Sequence, residues 1–94
     1  MITSAQMRAA RALLGIDQKT LAAKAGVSVP TIQRMEASDG NVRGVVASLV
    51  RVVEALEALG VELISEQAPS QGLGRGVRLK TPPGTPVDLS STAD

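Results

Sequence analysis

The stretch Gln18–Ala37, QKTLAAKAGVSVPTIQRMEA, constrains this chain more than any other. Leu21, Ala22 and Ala25 fall at spacings of one, three and four, so they share one face of a short helix. Gly26 stands where the chain must then turn, and glycine adopts a positive φ there without steric cost. Val27 plugs the corner. Ser28 is placed to N-cap a following helix by accepting a hydrogen bond from a backbone N–H that has no intrahelical partner. Ile32 and Met35 mark the inward face of that helix, and Ala22 is small where the two helices cross. The spacing therefore demands two short amphipathic helices joined by one tight turn.

The same logic extends outward. A first helix is predicted from about Ser4 to Leu14, capped by Ser4 or Thr3, with Met7, Ala10, Leu13 and Leu14 as its buried stripe and Gly15 as its stop. Ile16 packs as a plug, and Asp17 caps the helix at about Gln18–Ala25. The next helix is predicted at about Val29–Ala37, where Pro30 is tolerated because first-turn N–H groups lack intrahelical partners. Ser38, Asp39, Gly40 and Asn41 form a turn cluster. A fourth helix should run from Arg43 or Val45 to Leu59, stopped by Gly60. Its apolar residues, Val45, Val46, Leu49, Val50, Val52, Val53, Leu56 and Leu59, make a stripe wider than one core face needs. Part of that stripe is expected to meet a partner chain.

Beyond Gly60 the period changes. Val61–Ile64 and Gly76–Lys80 alternate in the manner of strands, so a strand pair or β-hairpin over 61–80 is expected. Such a pair is marginal alone and needs support from the fourth helix or from a second subunit, which makes it a candidate dimerisation element. From Thr81 onward, TPPGTPVDLSSTAD reads as a flexible tail. The expected division is a helical domain over 1–60, the strand pair over 61–80, and the tail over 81–94.

Composition removes several function classes. With no cysteine and no histidine, the chain has no zinc finger, disulfide, thiol nucleophile or His-assisted serine. Asp17, Glu36, Asp39, Glu54, Glu57, Glu62 and Glu66 show no paired arrangement for acid–base work, so no enzyme and no cofactor are expected. The absence of aromatic residues disfavours single-stranded nucleic acid, whose bases stack on aromatic rings. Arg8 and Arg11 interrupt the N-terminal apolar pattern, and charges break every other apolar run, so neither a signal peptide nor a membrane span is expected. The expected location is cytoplasmic.

A net charge of +1 conceals an uneven distribution. Residues 1–44 hold Arg8, Arg11, Lys19, Lys24, Arg34 and Arg43 against Asp17, Glu36 and Asp39, a balance of +3. Residues 45–68 hold Arg51 against Glu54, Glu57, Glu62 and Glu66, a balance of −3. The cationic excess sits with the paired helices, where contact with phosphate requires it.

With these residues in view, the chain resembles the Cro/C1-type, or Xre-type, phage-repressor-like helix-turn-helix family. The resemblance begins at Arg11-Ala-Leu-Leu-Gly15-Ile-Asp-Gln18 and continues through Leu21-Ala22, Gly26-Val27-Ser28, Thr31-Ile32 and Met35-Glu36. It covers about Met7 to Leu59, and the segments Val61–Ile64 and Val77–Leu79 look like the β-hairpin ending of short members. It implies a mostly α, lambda-repressor-like bundle of four helices and a bacterial or phage origin. It also implies a transcriptional regulator, in its simplest form a repressor, that binds double-stranded DNA as a homodimer on a palindromic site.

Roles carry over by position. Gln18, at the start of the second helix, matches a phosphate contact; its alternative role is a solvated residue beside a cap. Ser28, Val29, Pro30, Thr31, Gln33 and Arg34 cover the start and outer face of the recognition helix. Arg34 is the candidate for bidentate guanine reading, with a phosphate contact or a surface charge as its alternatives. Gln33 suits adenine or solvent, while Ser28 and Thr31 can reach a phosphate or a base edge. Val29 and Pro30 depart from the family's polar residues and suit thymine methyl groups instead. Asn41 and Arg43 are expected phosphate contacts and Lys19 a peripheral one, whereas Lys24 is read as a solvated charge. Arg11 and Glu36 match an ion pair tying the first helix to the end of the third. The rival reading is an antitoxin or anti-activator that uses the same fold to bind a protein.

Overall fold

A computed structural model describes residues 2–81 and contains four helices: α1 Ser4–Leu14, α2 Gln18–Ala25, α3 Val29–Glu36 and α4 Val46–Ala58. The first three boundaries are set by local capping chemistry. Thr3 accepts from the Gln6 backbone N–H while the Gln6 side chain accepts from the Thr3 N–H at 2.8 Å, so α1 opens on a capping box. Asp17 accepts from the Thr20 N–H at 2.7 Å and Ser28 from the Thr31 N–H at 3.2 Å, starting α2 and α3. Gly15 (φ 67°) and Gly26 (φ 71°) close α1 and α2 in the left-handed region. Ala37 lies one residue beyond α3, as its C-cap.

α2 is the central helix, packed against both α3 and α4, and α1 packs against α3. Met7, Leu21, Ile32, Met35, Val52 and Leu56 are the largest fully buried side chains, and Ala22 is buried at the crossing with its neighbours. Ile2 and Val42 complete the core, drawn together by the Val42 N–H donating to the Ile2 carbonyl at 3.0 Å. Ser4, itself buried, donates its hydroxyl to the Ser38 carbonyl at 2.7 Å, which anchors the turn after α3 to the start of α1.

Three expectations are corrected. α4 begins at Val46, because residues 43–45 lead into it without a side-chain cap. Leu13 is exposed: Leu14, seven residues after Met7, continues the buried row, and Leu13 is turned about 100° away from it. The strand pair over 61–80 does not form among the described residues, where the one β-bridge joins Thr3 to Asn41. Val61 and Leu63 instead pack against the helical core as extended chain. Residues 71–81 are exposed throughout, Val77 and Leu79 included, so the second expected strand has no buried apolar face to support it, and Gly76 opens it without a side chain. Of the expected tail, residues 82–94 lie outside the described residues.

Candidate nucleic-acid interface

α3 turns Ile32, Met35 and Glu36 inward and leaves Pro30, Gln33, Arg34 and Ala37 exposed. These four positions form one outward row along the helix. An α-helix with its side chains is about 10–12 Å across, so α3 can lie in a duplex major groove about 12 Å wide, with its eight residues presenting about 12 Å of length. Val29 is half-buried against the core, which leaves Pro30 as the apolar surface at the helix start.

One shoulder of α3 carries a chain of hydrogen bonds. The Ser28 and Thr31 hydroxyls lie 2.9 Å apart, and the Arg34 Nη2 donates to Thr31 Oγ1 at 3.3 Å. This draws the Arg34 guanidinium back along the helix yet occupies only one of its five N–H donors. The rest stay free for a base edge or a phosphate.

Behind this surface, Glu36 is the joint of three helices. Arg11 grips its carboxylate bidentately, Nε to Oε2 at 2.6 Å and Nη2 to Oε1 at 2.7 Å. Gln18 Nε2 adds a third bond to Oε1 at 3.2 Å, and Arg8 Nη1 donates to the Glu36 backbone carbonyl at 2.6 Å. Burial opposes the carboxylate's charge, but the bonds from Arg11 and Gln18 outweigh it and hold the Glu36 pKa below its ordinary value. The same hydrogen bond from Arg11 to Glu36 raises the guanidinium's pKa. Neither Gln18's bond to Glu36 nor the part played by Arg8 was legible in the sequence.

Gln18 thus spends one amide N–H inside the protein and keeps a second, beside the first turn of α2, where Asp17 caps the Thr20 N–H. Lys19 is exposed one residue on. Asp17 lies at the same helix end, its pKa lowered by the Thr20 backbone N–H, and its negative charge opposes an anion there.

A second cationic area lies at the other end of the outward row. Thr31, Arg34, Met35, Arg43, Gly44, Val45 and Ser48 line an open cleft of about 370 Å³ between α3 and the start of α4. Ser38 fixes its geometry: its hydroxyl donates to the Arg34 carbonyl at 3.3 Å and accepts from the Arg43 backbone N–H at 3.1 Å. Val45 provides no side-chain cap, so the first-turn N–H groups of α4 stay open beside the two arginines. Valine at an N-cap position, preceded by Arg43 and Gly44, was the sequence signal that would have found this terminus. Asn41 is not part of the cleft. It is exposed at the other end of the same loop, its backbone bridged to Thr3.

The sequence pattern of the helix-turn-helix family matches residues 7–64, from mid-α1 to beyond the end of α4. No curated protein and no solved structure gives a significant match to the chain. No helix among the described residues is long and apolar enough to cross a membrane.

Proposed function

The chain belongs to the helix-turn-helix family of Cro/C1 type, a family of DNA-binding transcription regulators, and from that premise we propose that it is a repressor binding a palindromic operator as a homodimer. The observation that carries this reading is the outward row Pro30, Gln33, Arg34 and Ala37 on a rigidly braced α3, flanked by the cationic cleft at Arg43. α3 enters the major groove, Arg34 reads a guanine through O6 and N7, and Gln33 reads a neighbouring base. Ser28 and Thr31 contact a phosphate or a base edge at the groove wall, and Pro30, with the exposed part of Val29, meets thymine methyl groups.

Phosphates on either side fix the register. One is held by Gln18 and Lys19, the other by Arg43 and the open start of α4, with Asn41 beyond it. One α3 reads too few base pairs to find a site in a genome, so two copies act on half-sites about one helical turn apart. Val46 and Val50, exposed one turn apart on α4, supply apolar surface for that pairing.

Selection from a random duplex library, at two salt concentrations and with wild type and Arg34→Ala, tests the proposal. A palindromic motif that weakens with salt, and degenerates at one position per half-site in the variant, is the expected result. Enrichment of no motif at low salt refutes the reading and turns the exposed valines of α4 toward a protein partner.

A further inference from the structure

Residues 71–81, QGLGRGVRLKT, are exposed without exception, and Arg75, Arg78 and Lys80 give them a charge of +3 with no acid among them. No acidic residue occurs between Glu66 and Asp88. The segment leaves the helical body at a defined place: the Gln6 amide donates to the Ile64 carbonyl at 3.1 Å, beside the start of α1. The Glu62 carboxylate accepts from the Gln71 N–H at 3.1 Å, and Arg78 donates to the Ser65 and Ala68 carbonyls. The Arg78 guanidinium thus folds the segment back on residues 65–68, and the chain extends when these two exposed bonds are exchanged for bonds to phosphate.

We propose that residues 71–81 are an arm that lies along the DNA backbone and minor groove beside the operator, a second DNA contact independent of α3. The inference rests on the duplex-binding reading above. Its own support is charge, shape and reach. Arg75, Arg78 and Lys80 are attracted to phosphate, with Glu62 the acid at the root of the segment, and tethering to a bound domain keeps the three cations at high local concentration beside the duplex. Gly72, Gly74 and Gly76 alternate with Leu73, Arg75 and Val77, so one side of the extended chain is bare backbone. That bare side is what lets a chain enter a groove only about 6 Å wide. Eleven extended residues reach up to about 36 Å, enough to follow a winding groove for roughly half a helical turn. Arg75 is the residue placed to insert, and Leu73 and Val77 meet the sugar walls.

The test uses the full chain carrying Arg75→Gln, Arg78→Gln and Lys80→Gln, all at exposed positions, with duplex binding followed by fluorescence anisotropy across a salt series. Three lost phosphate contacts lower the slope of log K against log salt by up to about 2.7, so the deficit in affinity grows roughly twentyfold between 0.3 and 0.1 M salt. Hydroxyl-radical footprinting should show a protected minor-groove patch beside the helix-turn-helix footprint that the variant loses, with the selected motif unchanged. Wild-type binding with the same slope and footprint in the variant overturns the arm and leaves the regulator reading intact. A variant that instead changes only the sedimenting mass also overturns it, and assigns the segment to contact between copies. Absence of wild-type duplex binding removes both.

Discussion

Replacing Glu36 with glutamine removes one charge and almost no volume from the joint between α1, α2 and α3. The cost follows from what stays behind. The Arg11 side chain is 20% exposed and the Glu36 side chain 4% exposed, so the substitution strands a largely covered guanidinium. Its two strong donors then face one neutral amide oxygen and one amide N–H that cannot accept. Breaking a fully buried pair costs about 3–5 kcal/mol, and an exposed pair contributes about 0–1 kcal/mol. Arg11 keeps some access to water and a weaker bond to the Ile16 carbonyl at 3.3 Å. The cost should therefore fall between these limits, at about 2–3 kcal/mol, which lowers the melting temperature by roughly 10–20 °C in a domain of this size.

The chain has no Trp, Tyr or Phe, so urea and thermal unfolding must be followed by far-UV circular dichroism. A cycle with Arg11→Met and the double variant isolates the pairwise part, expected at about 2 kcal/mol, and the double variant should be less damaged than the two singles imply. The reasoning is refuted if Glu36→Gln costs less than about 1 kcal/mol. It is refuted equally if the two single losses simply add.

Gly26→Ala should cost about 1 kcal/mol by urea unfolding and Gly26→Asn less, because φ is 71° there while no atom would touch an added Cβ, so strain in the backbone is the whole effect. Arg43→Gln should reduce the salt slope of duplex binding by about 0.9 without changing the selected motif, since phosphate contacts carry no sequence information. Acid should destabilise the fold through Glu36. Its folded pKa is depressed, so its contribution is fully present above the ordinary value of 4.5 and is lost as pH falls through the folded pKa; melting of Glu36→Gln should show a flatter dependence in that range.

What was legible in the chain was what neighbours in sequence decide. Asp17 and Ser28 each cap a helix through a backbone N–H three residues away, and Gly15 and Gly26 each end one, so these boundaries could be drawn before any packing was known; at α1 the cap is Thr3, and Ser4, the other candidate, is the helix's first residue. Alternation at Val61–Ile64 and Gly76–Lys80 had no such local closure. A strand is completed only by another strand, and the helical core claimed Val61 and Leu63 first. The candidate site divides along the same line. The outward row of α3 follows from helical period alone, so Gln33 and Arg34 were readable as its face.

The cleft beside Arg34 depends on Ser38 holding the Arg34 carbonyl and the Arg43 N–H at once, and on Ser4 holding Ser38 across 34 positions of sequence. No periodicity encodes a bond of that span. This anchoring gives Ser38→Ala a distinctive expected outcome. The outward row should survive, because α3 is braced by Glu36. The backbone at Arg43 loses its tie to α3, so phosphate contact at the cleft should weaken while the base preference set by Arg34 persists. A variant that lost base preference before salt-dependent affinity would mean that Ser38 positions the recognition helix itself, and that the two arginines do not act as separable contacts.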